Sequence, residues 1–171
     1  MRMFEEVVLI RPREQSQRGD YMTQIRRILL AEDNENDVEL TLAALAENNL
    51  ANRVDVVRDG VEVLDYLYYK GKFTTRDRGN PVVLLLDLKM PRLDGLEVLE
   101  RIKEDPNLRT IPCVVLTSSR QEKDLVDSYN LGANAFVVKP VAFDDFFSAI
   151  KQLGMFWAII NEPPPVIPKS T

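Results

Sequence analysis

The chain has 171 residues, 45% hydrophobic and 29% charged, which is enough for one well-cored domain with tails and too little for a second large one. Its net charge of −5, with 22 Lys and Arg scattered rather than clustered, provides no basic stripe, so nucleic acid and anionic membrane are excluded as default partners. Histidine is absent and cysteine occurs once, which removes His-based triads, His metal ligands, phosphohistidine made on this chain, intrachain disulfides and Cys-rich zinc sites.

Residues 1–24 pass from a short apolar start through a polar stretch around Arg11–Asp20 to a second methionine, Met22, and read as a flexible N-terminal arm. Val7–Ile10 is too short for a signal-peptide core, although it could add a strand to a sheet edge. No apolar run reaches the roughly 18 residues of a membrane span. A reduced, cytoplasmic protein is expected.

From Ile28 to Val138, short runs of β-branched residues and leucine alternate with longer segments of helical period. The strands expected are 28–31, 53–57, 82–86, 113–116 and 135–138, and the helices about 36–48, 60–69, 94–103, 121–131 and 143–160. Five βα units of this kind predict a parallel sheet covered by helices on both faces, a doubly wound α/β domain over residues 25–154, with the two richest strands central. In the first helix Val38, Leu42 and Leu45 form an apolar stripe toward the sheet. The stretch Tyr69–Pro81 is polar, contains glycine and ends in proline, so it is expected to be a loop of unusual length. Cys113, within an apolar run, is expected in the core. The last helix carries Phe143, Phe147, Ile150, Leu153 and Trp157 at core-like spacing, but Phe146, Met155, Phe156, Ile159 and Ile160 spread the apolar surface further. Residues 155–171 therefore read as an extension, apolar and then Pro-rich, with Phe146, Phe156, Trp157 and Ile160 as candidates for a homodimer interface.

Ligands of such sheets bind beyond the carboxyl ends of the strands. Those ends are acidic here: Glu32-Asp33 closes the first strand and Asp87 the third. Carboxylates gathered there would repel by about 4 kcal/mol per pair at about 4 Å and an effective dielectric near 20, so a cation is required. Oxygen ligands suit Mg2+, and Lys139 at the end of the fifth strand supplies a fixed positive charge. An aspartate held between a hard cation and a lysine is a plausible nucleophile toward phosphorus, with Thr117 placed to hydrogen-bond an equatorial oxygen.

Ile28–Asn34, Leu86–Pro91, Asp94-Gly95, Val115–Ser118 and Lys139-Pro140 together resemble the motifs of the receiver domain of two-component response regulators. The resemblance covers about residues 25–154 and implies a flavodoxin-like, three-layer α/β/α fold with strand order 2-1-3-4-5. It implies that Asp87 accepts a phosphoryl group from a sensor histidine kinase. Glu32, Asp33, Asp87 and the main-chain carbonyl of Lys89 would hold Mg2+. Lys139 would pair with the phosphoryl oxygens, Thr117 would turn inward, and Phe136 would be the switch aromatic. Phenylalanine at that position lacks the hydroxyl of the commoner tyrosine, so switching is expected to rest on packing. Lys89 and Ser119 occupy positions that tune phosphoryl lifetime in this family. Ser128–Asn134, the long loop before Pro81 and the Phe156-Trp157 tail are similar to the stand-alone receivers that work with phytochromes, so a bacteriophytochrome kinase is the expected partner. With about 17 residues after the expected fifth helical core, no output domain is expected.

Competing classes leave traces that the chain lacks. A flavin-binding protein needs a Ser/Thr/Gly-rich loop where Glu32–Glu35 would repel phosphate. An aspartate-based phosphatase needs a second carboxylate two residues after its nucleophile, where Lys89 stands. A pseudo-receiver, binding partners without phosphorylation, is opposed only by the intact acidic pocket.

Overall fold

The computed structural model describes residues 27–118, 121–139 and 143–161. The arm expected over 1–24 and the Pro-rich stretch from 162 lie outside the described residues. Five strands, β1 (Ile28–Ala31), β2 (Val54–Val57), β3 (Val83–Leu86), β4 (Cys113–Thr117) and β5 (Ala135–Val138), form one parallel sheet in the order β2-β1-β3-β4-β5. The helices between and after them are α1 (Glu35–Ala46), α2 (Gly60–Leu67), α3 (Gly95–Glu104), α4 (Glu122–Asn130) and α5 (Phe143–Met155). This is the doubly wound α/β arrangement and strand order expected. The last helix departs slightly from expectation: α5 ends at Met155 and the chain continues as a π-helical turn, Phe156–Ile160.

Strand alternation divides the core into two layers. Leu29, Ala31, Leu84, Leu86 and Cys113 meet Val63, Tyr66 and Leu67 of α2 and Val98, Leu99 and Ile102 of α3. Ile28, Leu30, Leu85, Val114 and Leu116 meet Val38 and Leu45 of α1 and Phe146 and Ile150 of α5. Two readings change. Leu42 is only half-buried, and Thr41 takes the buried position beside Val38 and Leu45. Phe146, expected at an interface, is 2% exposed and belongs to the core, because the rotation of α5 on the sheet turns it inward. Burial pushes the Cys113 thiol up to about 11, which leaves it a core residue with little thiolate.

The long connection before β3 is built around a stack. The Arg76 guanidinium lies 4.0 Å from the ring centres of both Tyr66 and Tyr69, and Arg78 covers Tyr69 at 4.2 Å. Beneath it, Asp55 of β2 accepts from Arg27 through a two-pronged pair and from the Tyr66 hydroxyl at 2.6 Å. Burial pushes the Asp55 carboxyl upward, but the bonds from Arg27 and Tyr66 outweigh it and hold the group below the ordinary carboxylate value. A depressed carboxyl stabilises the fold above its unfolded value, near pH 4, and that contribution disappears as pH falls through the folded value. Asp55→Asn should therefore cost about 1–2 kcal/mol in urea unfolding at pH 7 and much less near pH 2.5. Equal costs at both pH values would show that the charge contributes nothing.

At three strand-to-helix junctions a short polar side chain caps the helix. Asn34 accepts from the Asp37 N–H, Asp59 from Glu62, and Asp94 from Glu97, the last as a full capping box. Gly95 then lets α3 approach the strand end closely. A Cβ at that position would lie 2.3 Å from the Asp87 carbonyl oxygen and 2.7 Å from the Leu88 Cα. Gly→Ala at an unobstructed helical site stabilises by roughly 1 kcal/mol. Gly95→Ala should instead destabilise by about 1–3 kcal/mol, because rigid main chain must move. Urea unfolding distinguishes the two by sign alone.

Candidate functional site: an acidic pocket at the carboxyl edge of the sheet

The sheet's hydrogen-bond ladder continues one residue beyond its strands and fixes the backbone of the pocket. Glu32 N–H donates to the Val57 carbonyl at 3.0 Å, Asp87 N–H to Ala31 at 3.0 Å, and Lys139 N–H to Thr117 at 2.7 Å. Each side chain therefore springs from main chain that strand pairing holds in place, and all emerge at the same edge of the sheet.

Glu32, Asp33 and Asp87 bring one carboxylate oxygen each within 4.8 Å of one another. Glu32 and Asp87 are buried, and Asp33 faces solvent. Lys139, with 11% of its side chain exposed, reaches into the group from β5. Its ammonium pairs with Glu32 Oε2, lies 2.8 Å from Asp37 Oδ2 and stands 3.5 Å from Asp87 Oδ1. Glu32 also accepts from the Asn34 N–H at 3.1 Å, which ties its carboxylate to the start of α1.

Burial pushes the Asp87 and Glu32 carboxyls above their ordinary values, and the attraction of Lys139 offsets this only in part. Burial works against the Lys139 ammonium too, but its bonds to Asp37 and Glu32, with the nearby Asp87 charge, overcome it and raise its pKa. The single ammonium leaves the carboxylates short of positive charge. An all-oxygen donor set in that condition, two of its three carboxylates buried, fits a hard divalent cation.

The structure brings the sequence-identified residues Glu32, Asp33, Asp87 and Lys139 together. Lys89 follows on the loop after Asp87 with its side chain exposed. Thr117 is the last, fully buried residue of β4. Phe136 lies on β5 opposite Val115 and is half-buried rather than sealed in the core. Ser119 and Pro140 lie outside the described residues. Among the interface candidates, Phe156 and Ile160 are exposed, whereas Trp157 is half-buried against the core and meets Phe156 edge-to-face at 5.0 Å.

Sequence reading missed Asp37. Its signal was modest: a third-position acidic residue in the helix that follows Glu32-Asp33, where a side chain leans back toward the helix N-terminus and hence toward the strand end. Also unforeseen is the seat of the loop after Asp87. Arg92, at φ 68°, donates to Asp59 Oδ2 at 2.9 Å, and the Leu93 carbonyl lies 2.2 Å from where a Gly60 Cβ would stand, so this loop rests on the N-terminus of α2.

Residues 28–151 match the response regulator receiver domain. Over 130 residues the chain is 36% identical to response regulator Rcp1 of Synechocystis sp., covering 76% of this chain and 87% of that one. The crystal structure of the Mn(2+)-bound form of Rcp1 superposes with a TM-score of 0.75 at 34% identity, over 82% of this chain and 99% of that one. The bacteriophytochrome response regulator AtBRR is 60% identical, with a TM-score of 0.66 over 81% of this chain and 99% of that one.

Proposed function

Because this chain belongs to the response regulator receiver family, in which a kinase phosphorylates an aspartate, we propose that Asp87 is its phosphoacceptor and a bacteriophytochrome histidine kinase its donor. The observation that carries this reading is the buried Asp87 carboxylate, 3.5 Å from Lys139 and grouped with Glu32 and Asp33. An Asp87 oxygen attacks the phosphorus of the kinase's phosphohistidine, the P–N bond breaks, and the imidazole leaves as the aspartyl phosphate forms. Receiver domains bind divalent metal, and Mg2+ is the ion proposed here, held by Glu32, Asp33, Asp87 and the Lys89 carbonyl. It would offset the charge that develops on the transferring group. Lys139 pairs with the phosphoryl oxygens, Thr117 and Phe136 carry the switch, and water later cleaves the acyl phosphate in the same pocket.

The likeness to phytochrome-associated receivers supports the kinase assignment. Exposed Val126 and Tyr129 on α4, with Met155, Phe156, Ile159 and Ile160, support a homodimer through α4, β5, α5 and the segment beyond it. No helix among the described residues is long and apolar enough to cross a membrane. We place the protein in the cytoplasm and give it no nucleic-acid partner, in keeping with its acidic balance.

Phosphotransfer is the test. A purified bacteriophytochrome kinase, loaded with phosphate, should pass it to this chain faster than to an unrelated receiver, in a reaction that chelation of Mg2+ stops. Equal rates would remove the partner assignment. No transfer, and no labelling by acetyl phosphate while a second receiver labels in parallel, would leave a phosphorylation-independent interaction module. Light scattering at tens of micromolar, with and without a phosphoryl mimic, tests the dimer.

A further inference from the structure

Among the described residues, Asp37 is the one carboxylate on the Lys139 ammonium that lies outside the Glu32, Asp33 and Asp87 group. It accepts from Lys139 at 2.8 Å, a full charge-assisted hydrogen bond, whereas Asp87 at 3.5 Å is an ion pair beyond good hydrogen-bond range. Its place does not depend on the pocket. The Asp37 N–H is capped by the Asn34 side chain at 3.2 Å, and its carbonyl accepts from the Thr41 hydroxyl at 2.7 Å, so α1 holds it. An ammonium has three N–H donors and no acceptor. Two are committed to Glu32 and Asp37.

We infer that Asp37 is a positioning residue that holds Lys139 back from Asp87, so that an incoming phosphoryl group must win the ammonium from it. This rests on the reading of Asp87 as phosphoacceptor. Its consequence is a built-in restraint on phosphorylation, set by α1 rather than by the residues that touch the phosphoryl group. A dianionic donor approaching the pocket meets both the Asp37 charge and a lysine already engaged. Removing Asp37 frees the ammonium for the donor's oxygens before the transfer step, so the gain belongs in donor binding.

The experiment measures initial rates of phosphorylation against acetyl phosphate concentration, in Mg2+, for the wild type, Asp37→Asn, Asp37→Glu and Glu35→Gln. Glu35 lies on the same turn and pairs with Arg58 at 2.6 Å, so its variant removes the same charge without touching Lys139. Asp37→Asn should lower the half-saturating concentration about threefold or more, equivalent to the loss of one competing partner, with little change in maximal rate. Asp37→Glu keeps the charge and should stay near the wild type, as should Glu35→Gln. Thermal melting confirms that the variants fold, and Asp37→Ser repeats the test if asparagine disturbs α1. An Asp37→Asn protein no better saturated than the wild type, or an equal gain from Glu35→Gln, overturns the inference while leaving Asp87 intact. A wild type that takes up nothing overturns the Asp87 reading and this inference with it.

Discussion

Asp87→Asn is expected to take up no phosphoryl group from acetyl phosphate and Mg2+, under conditions in which the wild type gains one by intact-mass spectrometry. The amide keeps the shape of the carboxylate but is no nucleophile, so the loss is one of chemistry. Its stability should move the opposite way. Asp87 is buried and its carboxyl lies above the ordinary value, so keeping it ionised costs the fold stability at neutral pH. That cost is present above the folded value and relieved as pH falls through it. In chelator at pH 7 the variant should therefore unfold at equal or higher urea than the wild type. Millimolar Mg2+ should reverse the order. A ligand at about 100 times its dissociation constant adds about 2.7 kcal/mol to a protein that binds it, and the variant has lost part of the donor set. A variant that still labels would move the acceptor away from Asp87. One that is less stable in chelator would show that the pocket is not short of positive charge.

Lys139→Met should be the most destabilising change in the pocket, at about 3 kcal/mol in chelator at pH 7. Methionine keeps the apolar stem and removes only the charge. Buried Glu32 and Asp87, with half-buried Asp37, would then face one another with no cation between them. The penalty should be smaller at pH 5 than at pH 7, because burial raises the Glu32 and Asp87 carboxyls toward their protonated forms, and it should shrink again with Mg2+ at pH 7. In the wild type the raised Lys139 value carries the complementary sign. The lysine's contribution is complete below its unfolded value near 10.4 and is lost only as pH rises through the higher folded one. Urea unfolding at the two pH values, with and without Mg2+, checks all of this. Phosphorylation of Lys139→Met should also be slowed severely, since no ammonium remains to meet the phosphoryl oxygens. A variant as stable as the wild type in chelator would mean that the carboxylates avoid each other without help.

The elements were legible because their signals are local. The unbroken apolar runs of β1 and β3 and the helical spacing of apolar residues in α1 and α5 are properties of short stretches, and the structure places each element close to where those stretches lie. Glu32, Asp33, Asp87 and Lys139 were legible for a related reason. In a doubly wound sheet the residue after each strand has a known place, so sequence order becomes spatial grouping once strand order is given. Phe146 and Phe156 were not separable this way. Both are aromatic residues of one apolar segment, and only the rotation of α5 against Ile28, Leu30 and Leu85, with the change to a π-helical turn after Met155, sends the first inward and leaves the second exposed.

By itself, then, the sequence determined the layer order of this domain, the acidic edge of its sheet, and the need for a cation there, because composition and strand-end chemistry do not depend on how helices rotate. Tertiary structure alone decided which carboxylates share the lysine. Asp37 and Lys139 are 102 positions apart, and their 2.8 Å contact exists only because the fold brings the start of α1 within reach of the lysine side chain that follows β5. Contacts of that kind depend on angles between packed elements, which side-chain volumes across the whole core fix together and no short stretch encodes.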